Sequence, residues 1–296
     1  MNEGGKMKVL DLIKACTDLG VNKDGAELAP NIICENVNID KINKIYEVKK
    51  EECMKELDVN NKKKNIDSIN RFNQELYHTV CKSIENGKVP ITIGGDHSIA
   101  IATCLASKKY FGNIGLVWFD AHADFNTFHT TITGNIHGLP FASVVGQNGN
   151  ELTQFFEGEY FNPQKCVLIG ARSIDYPGEY ENLKKAGINV FTTKDIKERG
   201  VKEIFESAIQ IVTNGTNGFH LSIDTDVIDP KEAPGVSVPE VEGITKNEFI
   251  EMIKLFMNYK EEIKTIDVVE YNPKYDIDNI TLNVVNKAIN MIEDSF

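Results

Sequence analysis

The stretch Ile114-Gly-Leu-Val-Trp-Phe-Asp-Ala-His-Ala-Asp124 decides how the rest of the sequence is interpreted. It begins with a continuous apolar run over residues 114–119, which is typical of a strand covered on both faces in a parallel sheet. It then alternates acidic or imidazole side chains with alanine. Because an extended chain sends residues i, i+2 and i+4 to one side, Asp120, His122 and Asp124 are predicted to point together from the end of this strand.

Six further apolar runs are also predicted as strands, at residues 8–13, 89–93, 166–169, 188–191, 218–223 and 263–269. Apolar stripes at helical spacing lie between them, and Thr245 with Glu248 forms a capping box before one predicted helix. Strands that alternate with helices predict an α/β fold. We expect a single domain over residues 1–296, with three layers and a mostly parallel central sheet flanked by helices.

Charge and cysteine content narrow the class of protein. Acidic side chains outnumber basic ones, 44 to 32, giving a formal net charge of −12, and this field repels nucleic-acid phosphates and anionic membrane surfaces. The sequence has no apolar run of about 18 residues and no signal-peptide cleavage pattern, so we expect a soluble, cytoplasmic protein without nucleic-acid or membrane partners. The six scattered cysteines are expected to be free core residues.

Two polar segments interrupt the alternation of strands and helices. Residues 51–64 are rich in charge, Lys and Asn, and we interpret them as a solvated helix end or loop and not as a domain boundary. Residues 125–139 form a Thr-, Asn- and Gly-rich loop directly after Asp124. Loops held by a rigid sheet often carry function, so this second segment is predicted to be functional.

Acidic and imidazole residues follow four of the predicted strands. Besides the Asp120 cluster, the strand ends lead into Gly94-Gly-Asp-His-Ser98, Asp224-Thr-Asp226 and Glu270. Ligands of open α/β sheets bind beyond the carboxyl ends of the strands. These groups are therefore expected to converge on one crevice.

Two imidazoles and four carboxylates make up the predicted ligand set: His97, Asp120, His122, Asp124, Asp224 and Asp226. Six ligands are too many for one catalytic zinc but suit two metal ions bridged by Asp120 and Asp224. Oxygen-rich ligation with one imidazole per ion favours two Mn²⁺ per subunit, although ligand affinity alone would also admit Co, Ni or Zn. The surplus negative charge favours a cationic substrate, and Glu270 is suited to hold a planar guanidinium group.

Five other polar residues are interpreted as structural or have no assigned role. Asp96 is predicted to form a turn or to support the ligands, and Asp229 to form a turn. His78 falls in a helical pattern and His220 in the interior of the sheet. His129 lies in the polar loop after Asp124, with no motif that assigns it a function.

With these motifs in place, the sequence resembles the ureohydrolase family of arginases, agmatinases and formimidoylglutamases. The family's three signatures are present in order as GGDHS (94–98), DAHAD (120–124) with its following loop, and SIDTDVIDP (222–230). The resemblance extends from residue 20 to residue 273. It implies an arginase-like fold, hydrolysis of linear amidines, and a homo-oligomer, trimeric or hexameric as in relatives.

The resemblance also implies residue roles. It assigns one manganese to His97, Asp120, Asp124 and Asp224, and the other to Asp120, His122, Asp224 and Asp226. A metal-bridging hydroxide would attack the guanidinium carbon. Asp124 would steady the tetrahedral intermediate and handle its proton, Glu270 would orient the substrate, and His137 would relay a proton to the departing amine.

Substrate choice is implied by the loop after DAHAD. Arginases hold the α-carboxylate and α-amino groups with an Asn and an S-G-N-x-H-G box, and this sequence has Asn126 and Thr133-Gly-Asn-Ile-His-Gly138. Asn126, Thr133 and Asn135 are the predicted α-carboxylate contacts. Asp175 is the predicted partner of the α-amino group. It lies in a segment that is one residue longer than the family's usual D-x-G-E motif.

L-Arginine, hydrolysed to L-ornithine and urea, is therefore the predicted substrate. Formimidoylglutamate or another guanidino acid is the alternative, because residues 233–239 and 271–279 suit formimidoylglutamases equally well. Agmatine is less suitable because it lacks the carboxylate. A metallophosphoesterase also uses two metals but expects a G-N-H-[DE] box, which the sequence lacks. A non-catalytic metal-binding subunit would need neither His137 nor the substrate contacts.

Overall fold

The strands form one fully parallel sheet in the computed structural model, which describes residues 8–58 and 60–296. Within these residues there are eight strands: β1 (Leu10–Cys16), β2 (Ile42–Lys49), β3 (Val89–Gly94), β4 (Gly115–Phe119), β5 (Cys166–Ala171), β6 (Asn189–Thr192), β7 (Phe219–Asp224) and β8 (Ile263–Val269). Their order is β2-β1-β3-β8-β7-β4-β5-β6, and neighbouring strands are parallel.

Helices cover both faces of the sheet. Those of the described residues are α1 (Ala29–Cys34), α2 (Ile66–Glu85), α3 (Ala100–Phe111), α4 (Pro140–Val144), α5 (Gly178–Ala186), α6 (Thr193–Arg199), α7 (Val201–Thr213), α8 (Lys246–Met257) and α9 (Ile280–Ser295). Each is too short or too polar to span a lipid bilayer. The capping box of Thr245 and Glu248 is present at the start of α8, as predicted.

Side chains of β4 alternate between two hydrophobic cores. Leu116 and Trp118 join the core beneath α2 to α5, whereas Val117 and Phe119 join the core beneath α1 and α6 to α9. All four are fully buried. Burial on both faces explains why the strand sequence is continuously apolar. The predicted three-layer α/β fold is confirmed.

One strand was missed by the sequence analysis. β2 lies at the edge of the sheet beside β1, and most of its residues are partly or fully exposed, Val48 being buried. Because an edge strand faces water, its sequence carries charged side chains such as Lys44 and Glu47 in place of a continuous apolar run. The apolar pattern that identified the other strands is therefore absent there.

The six cysteines are all free. Cys16, Cys104 and Cys166 are buried, as expected for small core residues. Cys53 is exposed, so the expectation of a core position was wrong for this residue. It lies in the polar segment of residues 51–64, in which the described residues, 51–58 and 60–64, form no helix or strand.

The sheet order places the polar strand ends side by side. β3, β8, β7 and β4 are consecutive in the sheet, and their carboxyl ends lie at the same edge because the strands are parallel. These are the four strands that lead into acidic and imidazole residues. The topology therefore brings together residues that are far apart in sequence.

Replacing Phe256 with alanine is expected to destabilise the fold by about 3–5 kcal/mol, the usual cost of a large cavity. Phe256 is fully buried and contacts the rings of Phe119, Phe205 and Phe219 at centroid distances of 5.6, 5.0 and 5.9 Å. Urea unfolding measures the change. Tyr110→Ala, at a half-exposed position on α3, serves as control and should cost within about 0.5 kcal/mol. Equal effects would contradict the assignment of Phe256 to the core.

Candidate active site

The first cluster of polar side chains surrounds His97, just beyond β3. Its Nδ1 lies 3.2 Å from Asp120 Oδ2, 3.1 Å from Asp124 Oδ2 and 3.0 Å from Asp224 Oδ2. His97 and Asp120 are fully buried, and Asp124 and Asp224 are nearly so. Three carboxylates and one imidazole thus meet at one point, as the sequence predicted.

A second cluster adjoins the first. His122 Nδ1 lies 2.9 Å from Asp226 Oδ2 and 3.5 Å from Asp120 Oδ1. Asp120 belongs to both clusters and presents a different oxygen to each imidazole. The side-chain donor atoms of His97, Asp120 and Asp224 lie within 4.8 Å of one another, as do those of Asp120, His122 and Asp226, a spacing that could hold a metal ion.

Local turns aim these carboxylates. Oδ1 of Asp120 accepts a hydrogen bond from the backbone N–H of His122 (2.7 Å), and Oδ1 of Asp224 accepts one from that of Asp226 (2.8 Å). Asp96 closes the turn before His97 in the same way, by accepting from Ser98 N–H. An Asp that binds the N–H two residues later is a local turn device. The Asp-x-His and Asp-x-Asp patterns therefore shape the turns and orient the carboxylates of the two clusters.

The setting of His97 indicates which ring nitrogen faces the carboxylates. Ser222 Oγ donates its single proton to Asp267 Oδ1 (2.5 Å), so Oγ accepts from His97 Nε2, 2.9 Å away. Nδ1 is left facing three carboxylate oxygens, and no described residue forms a hydrogen bond with it. A bare lone pair in that position would be repelled, so Nδ1 requires a proton or a cation beside it. The donor set fits a metal ion.

The pKa values of the groups in the first cluster indicate the same shortage of positive charge. Burial and the charge of Asp120 raise the pKa of Asp124 to about 7. Burial, with the charges of Asp226 and Asp120, raises the pKa of Asp224 well above its ordinary value. Burial alone would lower the pKa of His97, but the surrounding carboxylates raise it well above its ordinary value. Divalent cations would supply the missing charge.

Several supporting residues were missed by the sequence analysis. Trp118 stacks on the His97 ring at a centroid distance of 4.1 Å, and its Nε1 donates to Asp120 Oδ2 (2.9 Å). Ser222 and Asp267, described above, hold the other side of His97. The sequence held a signal for Ser222 and Asp267, because each is a polar side chain inside an otherwise apolar strand and a buried polar group needs a partner.

Arg172 and Glu240 support the second cluster. The guanidinium of Arg172 donates to five backbone carbonyls, those of Gly170, Asp226, Val227, Glu240 and Val241. It thereby ties the ligand turn at Asp226 to the loop that carries Glu240. Glu240 Oε1 lies 3.7 Å from His122 Nε2, and the imidazole lowers the pKa of this carboxyl. The sequence patterns gave no indication of either residue.

Asn126 and Asp175 are brought together from different loops. Asn126 Nδ2 donates to Asp175 Oδ2 at 3.0 Å. Glu179 joins the two loops, because its Oε1 accepts from Phe125 N–H and its Oε2 from Asp175 N–H, both at 2.8 Å. The additional residue in this segment therefore leaves Asp175 in contact with Asn126.

His137 and Glu270 form a pair beside the first cluster. Glu270 Oε1 lies 3.0 Å from His137 Nδ1 and also accepts from the backbone N–H of His97 at 2.8 Å. Burial would lower the pKa of His137, but Glu270 raises it, to about 8. Oε1 of Glu270 is thus engaged by His97 and His137, and Oε2 has no hydrogen-bond partner among the described residues.

Thr133 and Asn135 lie in the loop that leads to His137. The Thr133 side chain is exposed, and its Oγ1 accepts from Asn135 N–H at 3.2 Å. Asn135 is buried, with 7% of its surface exposed. No described residue accepts a hydrogen bond from its Nδ2.

The five residues interpreted as structural or unassigned lie outside the ligand set. Asp96 and Asp229 accept backbone hydrogen bonds in turns, and His220 is buried in the sheet, 2.9 Å from Asp267. His78 is exposed on α2. His129 is exposed, and its backbone N–H donates to Thr127 Oγ1.

A parallel α/β sheet with two overlapping carboxylate–imidazole clusters at its carboxyl edge defines a class, α/β proteins with a site for two divalent cations. Comparison with known sequences narrows the class. The model of the arginase family matches residues 10–292. The chain belongs to the arginase family and is an arginase-like hydrolase that acts on amidino carbon–nitrogen bonds.

Individual relatives agree with this family. The chain is 33% identical to the arginase of Staphylococcus aureus strain COL over 98% of both chains. It is similar to the structures of Bacillus caldovelox arginase (TM-score 0.89, 30% identity, 97% and 98% covered) and of Entamoeba histolytica arginase in complex with L-ornithine (0.88, 31%, 97% and 99%). A formimidoylglutamase from Bacillus subtilis shares the fold at 20% identity (TM-score 0.78, 99% and 88% covered).

Metal binding is expected to weaken as the pH falls. Without a cation, Asp124 has a pKa of about 7, and the carboxylates around His122 raise its pKa despite burial. Groups with a raised pKa hold protons below that pKa, and a cation must displace them. Calorimetric titration of metal-free protein with Mn²⁺ should therefore show affinity rising from about pH 6 to about pH 8, with proton release. Affinity independent of pH would contradict this account.

Proposed function

We propose that this chain hydrolyses L-arginine to L-ornithine and urea, using two Mn²⁺ ions per subunit. The observation that carries the proposal is the position of Asn126 and the Thr133–Asn135 loop on the segment that follows Asp124, with Asp175 brought from the loop after β5 to accept a hydrogen bond from Asn126. Such groups suit the charged head of an amino acid. Similarity to arginases, one of them a complex with L-ornithine, supports this substrate over the alternatives.

The two clusters are assigned as metal ligands. One ion would be held by His97, Asp120, Asp124 and Asp224, and the other by Asp120, His122, Asp224 and Asp226. When bound, two divalent cations lower the pKa of a shared water and so supply a nucleophile at neutral pH. Four carboxylates with one imidazole per ion favour manganese over softer metals.

The remaining groups would move protons and orient the substrate. With a pKa of about 8, His137 carries a proton at neutral pH, held beside Glu270, and can give it to the departing amine. Glu270 would orient the guanidinium through Oε2, because Oε1 is occupied. Asp124 would hold the proton of the tetrahedral intermediate.

The α-carboxylate and α-ammonium groups of the substrate would bind to the loops that follow β4 and β5. The Asp175 carboxylate suits an α-ammonium group, and the amide of Asn135, the amide of Asn126 and the hydroxyl of Thr133 suit an α-carboxylate. Agmatine has no carboxylate to use these groups. Formimidoylglutamate carries one and remains the second candidate, although the formimidoylglutamase named above supports no more than a shared fold.

The trimeric or hexameric assembly and the cytoplasmic location implied by the family remain predictions. Sedimentation equilibrium of the metal-loaded protein tests the first, and a monomer would contradict it. Fractionation of the source cells tests the second.

The substrate proposal predicts the outcome of one assay. Manganese-loaded protein is offered L-arginine, agmatine, formimidoylglutamate and guanidinobutyrate separately, and urea, formamide and amine products are quantified. We expect the highest kcat/KM for L-arginine, with urea and ornithine released in equal amounts. A preference for any other member would overturn the assignment. p-Nitrophenyl phosphate should not be hydrolysed, which separates this class from the metallophosphoesterases.

The metal assignment predicts that Asp226→Ala lowers both metal content and rate. Asp226 lies in the His122 cluster, so its loss should remove one of two ions and reduce kcat by more than about a hundredfold, because a direct ligand matters at least as much as an outer-shell partner. Metal analysis after dialysis and urea assays measure both quantities. Glu206→Ala, on α7, is the matched control. Full metal content at full rate in Asp226→Ala would contradict the assignment.

A further inference from the structure

The segment of residues 61–64 lies on the loop that carries Thr133 to Asn135. Lys64 N–H donates to Gly134 C=O (3.3 Å), and Lys64 Nζ donates to Thr133 C=O (2.6 Å). Gly134 has a φ of +74°, and a Cβ there would lie 2.0 Å from the carbonyl oxygen of Asn61. The two segments are therefore in direct backbone contact, which corrects the interpretation of residues 51–64 as simply solvated.

Lys64 sets the orientation of the Asn135 amide. Its Nζ lies 3.5 Å from Asn135 Oδ1. Because an ammonium group can only donate, the amide oxygen must face it, and the NH₂ end is turned away. That NH₂ group donates to no described residue, and a carboxylate would be a matching acceptor.

The charge of Lys64 is buried without a carboxylate partner. Lys64 is 5% exposed, and its Nζ donates to the neutral oxygens of Thr133 and Asn135. No acidic group of the described residues lies within ion-pair distance of it. By contrast, the neighbouring Lys63 pairs with Glu151. Buried charges in proteins are usually paired, so this ammonium needs an anion that the described chain does not provide.

We propose that Lys64 determines specificity by providing positive charge for the α-carboxylate of the substrate and by positioning the amide of Asn135 to bind it. This inference rests on the proposed function and deepens it, because it restricts the substrate class to guanidino or formimino acids that carry a carboxylate. Lys64 is a positioning residue and takes no part in the bond-breaking step.

The test replaces Lys64 with methionine, which keeps the length of the side chain and removes its charge and its donors. Manganese-loaded variants are assayed with L-arginine and with L-argininamide, in which a neutral carboxamide replaces the carboxylate. The amide is measured as substrate or as competitive inhibitor. Lys62→Met is the matched control, because Lys62 lies in the same segment but donates to Ile132 C=O instead.

We expect Lys64→Met to raise KM for L-arginine by about tenfold or more, the usual scale for losing one charge-assisted hydrogen bond. The change in kcat should be smaller, and the preference for arginine over argininamide should fall by the same factor. Lys62→Met should change neither value. Asn135→Ala should also raise KM for L-arginine.

A purely structural role gives a different pattern. If Lys64 only held the loop, the variant would lose activity on both compounds equally, and the ratio between them would stay at the wild-type value, which would overturn the inference. Should the methionine variant fail to fold, judged by its thermal midpoint, Lys64→Gln replaces it. Wild-type protein that hydrolyses agmatine in place of arginine would overturn the proposed function, whereas an unchanged ratio with active wild-type protein would overturn this inference alone.

Discussion

A buried cluster of carboxylates that lacks enough positive charge is the constraint on which the rest of this structure depends. Asp120, Asp124 and Asp224 lie around one imidazole, away from water, where like charges repel strongly. Such a cluster persists because the fold holds it from all sides. The parallel sheet delivers the residues, Trp118 and Ser222 fix the imidazole, and the first Asp of each motif is bonded to its own turn.

Two residues of the candidate site depart from relaxed backbone geometry. Asp124 and Glu270 both have positive φ values, +49° and +64°, which are uncommon for residues with a side chain. Such conformations cluster at functional sites when the surroundings impose them. Here the imposed contacts are visible: Glu270 accepts from His97 N–H and pairs with His137, and Phe125, next to Asp124, donates to Glu179. Rigidity of this kind suits a reaction that requires a water, a carbon and a proton donor to be aligned.

The two regions of the candidate site attract groups of opposite charge. The dimetal region is rich in carboxylates, which attract cations and a cationic guanidinium. The loop region contains the amides of Asn126 and Asn135, and Lys64 lies behind it, buried and without an acidic partner among the described residues. An amino acid with a cationic side chain and an α-carboxylate matches both regions. The corresponding amine without the carboxylate matches only the carboxylate-rich region.

The sequence by itself determined the three-layer α/β class, seven of the eight described strands and all six residues that meet in the two clusters. These features follow from local rules, namely continuous apolar runs for doubly covered strands and two-residue alternation for side chains that share one side. Tertiary structure alone decided the rest. The edge strand β2 lacks the apolar pattern because water covers it, and Ser222, Arg172, Glu179 and Lys64 acquire their roles through partners distant in sequence. No local pattern encodes such contacts, because they exist only after the sheet order has placed separate segments side by side.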